Sequence, residues 1–238
     1  MKRWLVVLRY DLLLQARHGF YLATGVIVVI VGGLLLMLPA AARADHALWV
    51  PALLAVNLPI TTLFFVAGLI LLERDEGTLT ALGVAPVTAG HYLAMRMTTL
   101  ITLAVVETLA VVWLAFGVGT WLPIAAGAVA LGIFYTGCGA GISARYHSVN
   151  ELILPASVFV TFLLVPLLPH FGLLPRAPFV MHPVEPALTL VRGGYTTLTM
   201  ADLLFGVVGS FIWCAVAWRW GTSSVARAMR ATEATGGR

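Results

Sequence analysis

Six apolar runs constrain this chain more than any other feature: approximately Phe20–Leu38, Trp49–Leu72, Met97–Val118, Leu122–Ala144, Leu152–Leu168 and Leu203–Trp220. Each approaches the ~20 residues a helix needs to cross the hydrocarbon of a bilayer, the fifth being the shortest. Inside lipid only helices or closed barrels satisfy their own backbone, and the alternating pattern of a barrel strand is absent. The expected fold is therefore an all-α integral membrane protein, with six transmembrane helices across residues 20–220. Composition agrees, at 61% hydrophobic and 10% charged. With 238 residues there is room for one compact membrane domain.

Charge orients the spans. The net charge is +4, and the basic residues, thirteen Arg and Lys2, lie at the flanks of the apolar runs. That placement speaks for membrane orientation and against nucleic-acid binding. With the N-terminus in the cytoplasm, Lys2, Arg3, Arg9, Arg17, Arg74, Arg96, Arg145, Arg219, Arg227, Arg230 and Arg238 fall inside. Arg43, Arg176 and Arg192 then fall outside. Both termini, including a tail at residues 221–238, are thus expected in the cytoplasm. The start "MKRWLVVLRYDLLLQARHGF" has scattered charges and no small-residue cleavage site, unlike a signal peptide.

Residues 1–19 read as a separate amphipathic helix in the headgroup plane, the alternative being a basic flank of the first span. Trp4, Leu5, Leu8 and Leu12 share one side and Lys2, Arg3, Arg9 and Arg17 the other, with Val6 and Leu13 intruding. Six of the chain's twelve prolines fall between Pro166 and Pro186. Proline forbids a continuous helix there, while "LLPHFGLLPRAPFVMHPVEPALTLV" is too apolar for a solvated loop. Short broken helices re-entering the membrane over residues 169–195 satisfy both constraints; an ordinary extracellular cap is the competing reading.

Within the spans, Ala128, Gly132, Thr136, Ala140 and Ala144 recur every four residues, beside Gly137 and Gly141. Such spacing lets helix backbones approach closely, either inside one subunit or between two. Glu107 is the acid deepest in an apolar run. It reads either as a pathway-lining or coupling group or as a structural glutamate bonded to Thr108 or Thr102. Asn57 and Pro59 raise the same question more weakly. Cys138 and Cys214 sit in spans and read as small apolar packers. His18, His46, His91, His147, His170 and His182 are dispersed and form no metal-ligand spacing, so no metal site and no catalytic group is expected. "RYHSVNE", Arg145–Glu151, reads as a solvated inner loop.

One charged island interrupts the oil. "LLERDEGTLTALGVAPVTAGHYLAMRM" places Glu73, Arg74, Asp75 and Glu76 side by side between the second and third spans. Asp75 can cap a short helix whose positive end Glu76 favours, Leu79 and Leu82 share a face, and Pro86 stops it. Two leucines in a charged surround suit a docking knob for a cytoplasmic protein. On chemistry alone a solvated connector is equally possible.

The same stretch resembles the corresponding segment of ABC-2 type transporter membrane subunits. Glu73, Gly77, Thr78, Leu79, Leu82, Pro86, Val87, Tyr92, Leu93 and Arg96 carry the likeness, while Ala81 and Ala85 depart from it. The N-terminal helix, six spans and proline-broken segment extend the resemblance over the whole chain. Among such subunits it most resembles the fluoroquinolone-export permeases. That resemblance implies a coupling helix at about 73–86, a cytoplasmic ATPase docked on it and a second membrane subunit, identical or sister. It also implies residence in the bacterial cytoplasmic membrane. ATP and Mg would be bound by the partner ATPase, since no G-x-x-x-x-G-K-[ST] stretch occurs in this chain. The expected cargo is drug-like, lipidic or otherwise amphipathic. Competing readings are a proton-coupled carrier using Glu107, an intramembrane protease lacking its paired acids, and a receptor or immunity-type subunit that binds without transporting.

Overall fold

The computed structural model describes residues 2–79, 88–117 and 120–236, and all regular structure among them is helical. Five helices are long and apolar enough to cross a membrane, and a bent pair makes a sixth if taken as one span. That pair is Asp11–Arg17, the later part of α1 (Lys2–Arg17), and α2 (Phe20–Leu36), which meet at 64°. The bend sits on Gly19, whose φ of 77° is a conformation that side-chain-bearing residues rarely adopt. At 17 residues α2 reaches only about 25 Å. The sequence boundary at residue 20 is therefore a real change of direction.

The second span runs without interruption from His46 to Asp75. It comprises α4 (His46–Leu58), a π-helical turn (Pro59–Phe64) and α5 (Phe65–Asp75); α3 (Ala40–Arg43) precedes it. Asp45 caps α4 by accepting the Leu48 N–H at 3.1 Å. The π turn begins at Pro59, which has no N–H for the carbonyl four residues back. That carbonyl belongs to Ala55 and accepts instead from the buried Tyr135 hydroxyl, at a long 3.5 Å.

Then come α6 (Ala89–Phe116), α7 (Trp121–Ser143) and α8 (Val149–Leu163). The proline-rich stretch forms α9 (Leu167–His170), a 3-10 turn (Ala177–Phe179) and α10 (Glu185–Arg192). Helix α11 runs from Met200 to Gly236. The tail expected to start at residue 221 is thus a continuation of the last helix. Apolar content falls there, but Ala, Arg and Met sustain helix.

The core is organised around α7. Its span and the second span are the most buried, at 61% and 67%, against 22% for Val149–His170 and 17% for Met200–Arg230, which leave broad apolar faces outward. A Cβ on Gly137 would meet the Ala217 carbonyl at 2.7 Å, one on Gly139 the Leu63 oxygen at 2.5 Å, and one on Gly141 the Trp220 ring at 2.6 Å. Gly132 faces Ile101 of α6. Ala128, Thr136 and Ala140 are buried in the same helix. Through its small residues α7 touches α11, the π turn and α6 of the same chain.

Helix α10 is buried from Glu185 to Val191 and packs against α4, α7 and α11. Gly127, two turns into α7, lies against its Val191 and Ala187. One part of the proline-broken segment, α10, therefore packs among the span helices.

Candidate coupling site

The connector between α5 and α6 begins where a glycine ends α5. Asp75 is the last residue of α5 and does not cap a new helix. Gly77, at φ 71°, turns the chain out of α5. Thr78 and Leu79 resume helix, and Thr88 caps α6 by accepting the His91 N–H at 3.2 Å. Leu82 and Pro86, with Ala81, Ala85 and Val87, lie outside the described residues.

Two expectations for this island need correction. Glu73 does not belong to a solvated rim; it is 2% exposed, in the last turn of the second span. Leu79 is not a protruding anchor either. It is 1% exposed and packs among Leu14, Val66, Ile70 and Tyr92. The reason is the turn at Gly77, after which Leu79 points back toward the bundle. Among the described residues of the island, those that face outward are Asp75, Glu76 and Gly77.

Glu73 is buried because its charge is answered. Arg96, in the second turn of α6, forms ion pairs with Glu73 and with Asp11 of α1, all three side chains being buried. The Tyr92 hydroxyl donates to the second oxygen of Glu73, and the Thr99 hydroxyl donates to Asp11. The Gln15 amide donates to Asp11 at 2.9 Å and to Thr99 Oγ1 at 2.8 Å. A guanidinium between two carboxylates, each with further donors, is the arrangement that lets buried charge persist.

This cluster connects three elements. Glu73 precedes the connector, Tyr92 and Arg96 follow it, and Asp11 and Gln15 bring in α1. Arg74 adds a fourth, donating to the carbonyls of Tyr146 and, at 3.2 Å, Ala144 beyond the end of α7. Among the described side chains of α1, the packed face holds Asp11, Leu14 and Gln15, while Leu12 and Leu13 point outward. Asp11, Gln15 and Thr99 were absent from the sequence-derived candidates. Their signal was available, however, as an Asp and a Gln one turn apart in an otherwise basic and apolar helix.

The second candidate lies at mid-span. Asn57 donates through Nδ2 to Glu107 Oε1 at 2.6 Å, both residues being buried. Asn57 stands about 17 Å along the span from His46, deeper than a span start at Trp49 suggested. The partner of Glu107 is thus Asn57, with the Thr61 hydroxyl also within reach of its carboxyl. Thr102 is occupied with the Thr98 carbonyl of its own helix at 2.7 Å. Glu107 Oε2 and Asn57 Oδ1 have no partner, and the π turn begins two residues after Asn57.

A multi-pass helical bundle, with a buried polar joint at one end and a buried acid at its centre, is the class of protein defined here. The chain belongs to the fluoroquinolones export permease protein family, whose profile matches residues 2–231. It is 28% identical over 208 residues to the fluoroquinolones export permease proteins of two Mycobacterium tuberculosis strains, covering 87% of this chain and 86% of each relative. No solved structure matches it. The protein is accordingly a membrane export permease.

Proposed function

We propose that this chain is the membrane subunit of an ATP-driven exporter of the ABC-2 type. A separate cytoplasmic ATPase, carrying ATP and Mg, docks on the connector between α5 and α6, and a second membrane subunit, identical or sister, completes the path. Both termini lie in the cytoplasm of a bacterium, and the cargo is drug-like, lipidic or otherwise amphipathic. The observation that carries this reading is the Arg96 joint. It fastens both ends of the connector, through Glu73 and Tyr92, and ties them to α1 through Asp11. A push on the connector is then delivered to α1, α5 and α6 as one body.

The test is affinity purification of the tagged chain from its native membrane, with ATPase activity assayed on the eluate. Because Leu79 is buried, the docking variants belong at the exposed positions: Asp75→Lys with Glu76→Lys. Loss of a co-purifying ATPase in that variant, with the chain still folded, is the expected result. Drug efflux that needs no ATPase, follows a pH gradient and stops in Glu107→Gln would replace this reading with the proton-coupled carrier. The buried Asn57–Glu107 pair is what such a carrier would use.

A further inference from the structure

At the opposite end of the bundle from the connector lies a pocket of about 320 Å³, lined by Asp45, Leu48, His170, Arg176, Glu185 and Arg192 among others. Its chemistry is unbalanced in a particular way. Arg176 Nε and Arg192 Nη2 both donate to the same oxygen of Glu185, at 2.6 and 3.0 Å. The other oxygen, Oε2, is buried and has no partner, and neither has Arg192 Nε. The Glu185 side chain is only 1% exposed, so an empty acceptor there carries an unpaid desolvation cost. Arg176 is 44% exposed at its side chain and presents a guanidinium to the opening. Asp45 supplies a second carboxylate at the rim, and His170 is held by the Leu48 carbonyl at 2.7 Å.

We infer that this pocket binds the phosphate–ammonium headgroup of a phosphatidylethanolamine-type lipid. The phosphate is taken by Arg176 and Arg192, and the primary ammonium donates to Glu185 Oε2 and Asp45. The lining has two cations and two carboxylates, so it complements a zwitterion better than a simple anion. Guanidinium groups match phosphate oxygens in geometry as well as charge. A primary ammonium has N–H donors for the orphaned carboxylate oxygen, whereas a quaternary choline has none. The pocket also lies where a lipid reaches it, at the ends of the second span and of Val149–His170. The turn after His170 exposes Phe171, Leu173 and Leu174, which suit acyl chains beside a polar headgroup site.

The experiment is native mass spectrometry of the purified full-length chain in micelles doped with phosphatidylethanolamine, phosphatidylcholine or phosphatidylglycerol at equal concentration. Phosphatidylethanolamine is expected to be retained about tenfold over phosphatidylcholine, the scale of one charge-assisted hydrogen bond. Arg176→Ala is expected to lower retention of both, and Asp45→Asn, which keeps the helix cap, to narrow the preference between them. Equal retention of the ethanolamine and choline lipids in the unmodified chain overturns the proposal, whatever the variants do. Preferred retention of phosphatidylglycerol overturns it in favour of a plain anion site. Soluble glycerophosphoethanolamine displacing the lipid at equal concentration overturns the lipid source and leaves a site for a free zwitterion.

Discussion

The two ends of this bundle use the same chemistry and put it to opposite ends. Near the connector, Arg96 sits between Asp11 and Glu73 with all three side chains within a few per cent of complete burial. At the far end, Arg176 and Arg192 meet Glu185, but Arg176 is 44% exposed and one carboxylate oxygen is left over. In the first cluster both carboxylates are answered by Arg96 and by a hydroxyl, and the unpartnered buried atom is the neutral Gln15 Oε1. The second keeps an unpartnered carboxylate oxygen and opens on a cavity. The number of charges is similar in each; an orphaned charged group beside an open pocket separates a site from a joint.

The strongest test of that contrast is Arg96→Leu. Removing the cation leaves two buried carboxylates facing each other, and losing one partner of a buried pair costs about 3–5 kcal/mol. Thermal unfolding of the purified chain is expected to fall steeply, and α1 is expected to become accessible to protease near Asp11. If the same replacement at Arg176 is equally costly, the two ends are not different in kind.

Glu107→Leu comes next and sits between the extremes, because its partner is buried but uncharged. Asn57 then loses its acceptor, a penalty of about 1–3 kcal/mol. Glu107→Gln keeps an acceptor of the same shape and is expected to fold close to the unmodified chain. Transport measured in the Gln variant therefore separates a structural pair from a working one: normal efflux makes the pair structural.

How much of this was legible in the sequence depends on what a residue answers to. The spans answer to lipid, and runs of apolar residues disclose them. The site answers to other side chains, and there the sequence misled in instructive ways. Arg96 reads in the sequence as an orientation mark, because the third apolar run begins at Met97. The helix starts at Ala89, so Arg96 lies two turns inside and its neighbours are Asp11 and Glu73, 85 and 23 residues away in sequence. By spacing alone Leu79 and Leu82 read as one helical face, but periodicity does not say which way Leu79 turns. Gly77 decides that, through a backbone conformation invisible in a pattern of apolar letters. Asn57 and Glu107 were each noticed, yet 50 positions apart nothing announced them as partners.

Tyr92→Phe refines the comparison at the near end alone. It deletes one donor to Glu73 and leaves the Arg96 ion pair in place. A hydrogen bond to a charged group is worth about 1.5–3 kcal/mol, and the shared guanidinium is expected to hold the loss at the lower end. A double-mutant cycle with Glu73→Gln measures the coupling, and additivity of the two changes would mean that the hydroxyl and carboxylate do not act together.

Arg176→Leu carries the smallest expected cost and the most information. Its guanidinium bonds to Glu185 Oε1 and to the Thr189 hydroxyl at 2.9 Å, but it is nearly half exposed, so water replaces much of what is lost. Arg192 remains on the same carboxylate oxygen. The stability change is expected to stay within about 1 kcal/mol, as for other solvent-screened pairs. A joint built from these residues would not tolerate that replacement so lightly. A shift in Tm too small to resolve, together with a measurable loss of retained phosphatidylethanolamine, is the combination that a binding pocket gives and a structural clasp does not. A large drop in Tm with retained lipid unchanged would reverse the assignment, making the far end a second joint whose leftover oxygen has no ligand to meet.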